Sequence, residues 1–155
     1  MLRIIAGIIV GWIVMAVLVM ATFGITMMVL GLENIVQPDS YWTTDTFNII
    51  VLVGGFLAAI VGGMVCKVIA RDSKATLALA AIVLIMGTVS AVTNMNKPEP
   101  PPRPGPPTGS GRPTMQDMMT HGKEPNWFGF ATTVLGVAGL VIGSSLVKGR
   151  RPSNP

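Results

Sequence analysis

Apolar positions in this chain gather into four long blocks, residues 4–32, 47–66, 75–95 and 127–147, and none of them holds an Asp, Glu, Lys, Arg or His. A helix needs about 20 apolar residues to cross the hydrocarbon core of a bilayer. The pattern therefore predicts an all-α polytopic membrane protein: one domain over residues 1–155, built as a small bundle of four transmembrane helices. The first block exceeds the roughly 7–15 residues of a signal-peptide core and is expected to be a retained span. As a helix it would be about 43 Å long at roughly 1.5 Å per residue. It must tilt or project, with residues 27–32 packing on the outer loops.

The polar residues between the blocks set the expected orientation. Arg3, Lys67, Arg71, Lys74, Lys148, Arg150 and Arg151 fall on one side, with Asp72 the only acid there. Lys97, Arg103, Arg112 and Lys123 fall on the other, mixed with Glu33, Asp39, Asp45, Glu99, Asp117 and Glu124. Basic residues near span ends stay cytoplasmic, so both termini are expected inside and the loop of residues 96–126 outside. Tyr41, Trp42, Trp127 and Phe128 suit an outer aromatic belt. Expected helix caps are Asp45 or Thr46 for the second span, Ser73 for the third and Asn126 for the fourth.

Composition sharpens the class. Charged residues make up 12% of the chain, about half the share usual in soluble domains. The net charge of +4 is accounted for by topology and shows no basic face of the kind that binds nucleic acid. Cys66 is the only cysteine, which excludes a CxxC oxidoreductase and an internal disulfide; it reads as an apolar wall residue.

Within the second block, Gly54, Gly55, Ala58, Ala59, Gly62 and Gly63 fall on one half of a helix, and bulky residues on the other. Small residues let helix backbones approach closely where no hydrophobic drive acts between helices. This half is wide enough for two neighbours. The fourth block repeats the theme at Gly136, Gly139 and Gly143, and the first has Gly7 and Gly11. These faces are expected to pack the bundle, dock other subunits, or both.

Eight of the twelve prolines lie in residues 98–113. The run Pro98, Pro100, Pro101, Pro102, Pro104, Pro106 and Pro107 favours extended polyproline II, as a stiff spacer or as a strap docked on a partner. Met115, Met118, Met119 and His121 follow. Thioether and imidazole suit soft metals such as Cu(I); the alternative is a short amphipathic helix, starting near Thr114, that rests its methionines on a bilayer or partner.

Other chemistry is missing from the sequence. There is no phosphate loop, HExxH, intramembrane carboxylate or Ser-His-Asp set. A proton-coupled transporter would need an ionisable group in a span. Hydroxyls in the spans are expected to bond helix carbonyls, and Trp12 to fill a gap between helices. The expected role is a non-catalytic accessory subunit of a bacterial inner-membrane complex, bound to other integral membrane proteins and lipids, with no nucleic acid and no cofactor beyond lipid or pigment contact. The alternatives are a small oligomeric transporter or channel, and outer-side copper handling.

Overall fold

A computed structural model describes residues 2–102 and 114–147. It contains four long helices: α1 (Leu2–Leu30), α2 (Asp45–Ala70), α3 (Ser73–Met95) and α5 (Asn126–Leu146), with the short α4 (Met115–His121) before the last. All four long helices are long and apolar enough to span a bilayer. The chain is an integral membrane protein with an all-helical fold.

α2 is the spine of the bundle. α1 runs antiparallel along one side of it and α5 parallel along another, while α3 packs mainly on α5. Glycine sets these approaches. A Cβ on Gly7 would stand 2.8 Å from Ala70 Cβ, and one on Gly11 2.9 Å from Cys66 Cβ. On the other side, a Cβ on Gly139 would stand 2.9 Å from Ala59 Cβ, and one on Gly143 would overlap the Ile60 carbonyl oxygen. Such spacing forbids any side chain at these positions and lets the backbones touch. α3 and α5 close in the same way, with Gly129 against Ala91 and Gly87 against Thr133. The small core lies at the end where α1 begins, around Cys66, Ala75, Leu79 and Leu140.

α1 begins and α5 finishes at one end of the bundle, which also carries the tight turn at Arg71 and Asp72. Arg71 adopts a left-handed conformation, φ 56°, and its N–H donates to the Lys67 carbonyl at 2.9 Å. The expected caps are corrected. Asp72, not Ser73, caps α3 by accepting from the Lys74 N–H at 2.9 Å; the Ser73 hydroxyl instead accepts from Lys67 Nζ at 3.1 Å. Thr44 and Pro125 occupy the cap positions of α2 and α5, and neither gives a side-chain cap bond. The Thr44 hydroxyl donates to the Asn34 carbonyl at 2.9 Å.

At the opposite end the connections fold into an ordered shelf. Gly31, at φ 73°, ends α1, and a 3-10 turn (Leu32–Asn34) follows. Short β-bridges join Val36 to Thr43, Ser40 to Pro102 and Trp42 to Lys123. Ile35 and Val36 are fully buried beneath this shelf.

Candidate functional site

The loop end is held by a buried lysine. Lys123 exposes 6% of its surface, donates from Nζ to the Lys97 carbonyl at 2.8 Å, and lies 5.3 Å from the Trp42 ring centroid. Its backbone bonds Tyr41 and Thr43. Asn94 Nδ2 donates to the Glu124 carbonyl at 2.9 Å. Nearby, Asn48 is fully buried; its Oδ1 accepts from the Thr43 hydroxyl at 2.8 Å, and its Nδ2 has no partner. Together these bonds tie the end of α3, the segment before α5 and the loop before α2 into one body.

α4 sits on that body with a full capping box. Thr114 Oγ1 accepts from the Asp117 N–H at 3.2 Å, and the Asp117 carboxylate accepts from the Thr114 N–H at 3.0 Å. The Thr114 hydroxyl, donating to the Asp117 carboxylate at 2.7 Å, and then the Thr114 N–H hold that carboxyl below its ordinary value.

Between α4, α1 and α2 lies a pocket of about 280 Å³. Phe23 and Met27 of α1 and Phe47 of α2 form its apolar wall, with Met115, Met118 and Met119 of α4 opposite. Phe23 and Phe47 meet edge to face, centroids 5.7 Å apart. Lys97 and Glu124 line the same space. Burial pushes the Glu124 carboxyl above its ordinary value, and the Lys97 charge partly offsets this. Among the described residues, that carboxyl accepts no hydrogen bond and forms no ion pair.

A second crevice, about 260 Å³, opens near mid-depth between α1 and α3. Trp12 and Met15 form one wall, Ile82, Val83 and Met86 the other, with Thr132 and Thr133 behind. Trp12 is 45% exposed, so it borders a gap and does not fill one, contrary to the sequence expectation. Its indole N–H meets no acceptor among the described residues. Hydroxyls of Thr22, Thr26, Thr88, Thr132, Thr133, Ser144 and Ser145 donate to carbonyls of their own helices.

The residues singled out from sequence divide as follows. Gly7, Gly11, Gly62 and Gly54 meet the α1–α2 contact; Ala59, Gly63, Gly139 and Gly143 meet the α2–α5 contact; Gly136 faces Val83, and Ala58 is buried. Gly55 is the exception, since nothing lies within 4 Å of where its Cβ would stand. At its level α1 reaches α2 through Thr22, which lies against Gly54. Pro98, Pro100, Pro101 and Pro102 are described, and Pro102 pairs with Ser40 of the same chain; Pro104, Pro106 and Pro107 lie outside the described residues. The three methionines of the proposed metal set share the pocket, whereas the His121 ring is turned onto Tyr41, centroids 5.5 Å apart. Met27, Phe23, Lys97 and Glu124 were missed, because they reach the pocket from three distant stretches and no local spacing marks them.

Comparison of the chain with known families, with curated proteins and with solved structures finds no match in any of the three.

Proposed function

We propose that this protein is a non-catalytic accessory subunit of a larger membrane assembly, set in a bacterial inner membrane with both termini in the cytoplasm and the loop end outside. The observation that carries the reading is the ordered loop-end shelf. It holds apolar side chains out to the surroundings, with Met119 of α4 78% exposed and Met115 also exposed. Apolar groups presented by a rigid backbone beyond the spans mark contact surfaces, and methionine adapts to varied partners. The charge bias of the loops supports the orientation. Spans without ionisable side chains, most of whose hydroxyls bond their own carbonyls, support a structural role over proton-coupled transport.

The glycine faces of α2 and α5 are occupied inside the chain, and Pro102 is bridged to Ser40. This supports a partner contact at α4 and the shelf beneath it.

The test is purification from the native membrane in mild detergent, followed by mass spectrometry. A larger integral membrane protein is expected to come with the chain and to be lost in the double variant Met115→Glu, Met119→Glu. Recovery of the chain alone, together with solute movement in liposomes that contain nothing else, would reject the accessory role.

A further inference from the structure

The loop-end pocket and the mid-depth crevice stand on one row of α1. Trp12, Met15, Val19, Phe23 and Met27 follow at spacings of three and four, so they lie one above another on the same helix face. The crevice uses the lower part of this row and the pocket the upper part. α3 supplies the facing wall of the crevice, and Lys97, just past its end, reaches the pocket. From Trp12 to Phe23 the row covers about 16 Å at roughly 1.5 Å per residue. That is about half of a hydrocarbon core roughly 30 Å thick, the depth of a single leaflet.

The charges at the top of the row are a matched pair left unjoined. Lys97 offers an ammonium and Glu124 a carboxylate, both on the pocket, with no ion pair between them among the described residues. Glu124 is partly buried, and among the described residues its carboxyl accepts no hydrogen bond. A partly buried carboxylate gains when a ligand supplies charge and hydrogen bonds.

We propose that the pocket and the α1–α3 seam together hold one phospholipid with a primary-amine zwitterionic headgroup. Its phosphate is placed at Lys97, its amine at Glu124, and one acyl chain runs down the seam to Trp12. The glycerol ester region passes Phe23 and Met27, which suit its mixed polarity. A soft metal ion fits the same space less well: the Lys97 ammonium repels a cation, and the imidazole that would complete the thioether set is turned away on Tyr41. The inference goes beyond the accessory role and stands without it.

Full-length protein in mild detergent is mixed with phosphatidylethanolamine, phosphatidylcholine and phosphatidylglycerol of identical chains, and retained lipid is read by native mass spectrometry. In parallel, tryptophan emission is followed with the same lipids brominated along one chain. The wild type is expected to keep the ethanolamine lipid about tenfold over the glycerol lipid, the scale of one charged hydrogen bond. The brominated chain is expected to quench emission that Trp12→Phe removes. Glu124→Gln should erase the headgroup preference while chain quenching persists, Lys97→Gln should lower retention of all three lipids through the phosphate they share, and Met28→Leu, exposed and outside both cavities, should change neither. Equal retention of the three lipids by the wild type, or a preference that survives Glu124→Gln, overturns the proposal. So does saturable uptake of Ag(I) that Met27→Leu and Met118→Leu abolish while ethanolamine lipid fails to compete.

Discussion

Gly63→Ala adds one methyl group where α2 crosses α5. The new Cβ would overlap the Leu140 carbonyl oxygen and stand 2.9 Å from Leu140 Cα and 3.0 Å from its carbonyl carbon. Carbon atoms rest about 3.5–4.0 Å apart, so the two helices must part by roughly 0.5–1 Å at this level. Every atom met is backbone, and no rotamer change relieves the clash. A gap of that size forfeits about a quarter to a half of each dispersion contact it opens. With about 40–60 atom pairs across the crossing, as many as one buried leucine makes, at ~0.1–0.2 kcal/mol each, the loss comes to about 1–6 kcal/mol. Overpacked cores generally lose about 1–3 kcal/mol, which favours the lower part of that range. We expect a destabilisation of about 2 kcal/mol, roughly a thirtyfold change in the folding equilibrium at 1.4 kcal/mol per factor of ten.

Gly55→Ala is the internal control. It makes the same chemical change on the same helix, yet the added methyl meets nothing within 4 Å. It should leave stability within about 0.5 kcal/mol, or raise it slightly through better helix propensity. Both variants are unfolded reversibly in mixed micelles of rising SDS fraction, with helicity as the readout. If Gly63→Ala proves as stable as Gly55→Ala, backbone contact does not set the α2–α5 distance, and the description of the bundle given above is wrong.

Two further outcomes concern the loop end. Lys123→Met keeps the aliphatic stem but removes the charged hydrogen bond to the Lys97 carbonyl, worth about 1.5–3 kcal/mol; limited proteolysis of the shelf should quicken, and an unchanged cleavage rate would count against the lysine clasp. The second outcome is a pH dependence. The folded-state value of Glu124 lies above its ordinary 4.5, so the folded state binds the proton more readily. Shelf stability should rise as pH falls through the raised value toward 4.5, and Glu124→Gln should flatten that slope. Asp117 acts in the opposite sense. Its value is held below 3.8 by Thr114, so its contribution is present above 3.8 and fades only at lower pH, which keeps the two windows apart. Thermal melts across pH 3–8 would separate them, and a slope that survives in the glutamine variant would refute the assignment to Glu124.

The spans were legible because charge is prohibitive in hydrocarbon, and a block without it can be read directly. The small half of α2 was legible too, since 100° per residue gathers its glycines and alanines on one side. Periodicity could not tell Gly54 from Gly55: which part of a wide bare arc is filled depends on the height and crossing angle of the neighbour. The capping errors have a local cause. Asp72 and Ser73 both offer an oxygen, and the extended backbone at Asp72, with Lys67 occupying Ser73, decides between them. α4 was visible as the short helix starting near Thr114, offered as the alternative to a metal set. The shelf was hidden, because its bridges join residues far apart in sequence and Lys123 reads as a surface cation until the Lys97 carbonyl, 26 residues away, is brought to it.

Glycine stripes in membrane helices are commonly read as assembly surfaces, and here that reading fails on occupancy. Gly7 and Gly11 are filled by Ala70 and Cys66, and Gly139 and Gly143 by Ala59 and Ile60. A partner helix entering either crossing would have to dismantle the spine first. What the glycines do instead is fix α2 rigidly, and α2 ends at the loop end with Phe47 in the pocket wall and Asn48 buried behind it. One wall of the pocket is therefore part of the best-packed helix of the molecule, and the α1 wall is held to that helix by the contacts at Gly7, Gly11, Gly62 and Gly54. α1 and α3 meet where Leu79 approaches Gly11, and a crevice opens between them beside Trp12. Charge, thioether and aromatic groups therefore converge at the loop end, while the glycine faces that dominate the sequence are spent on packing the bundle.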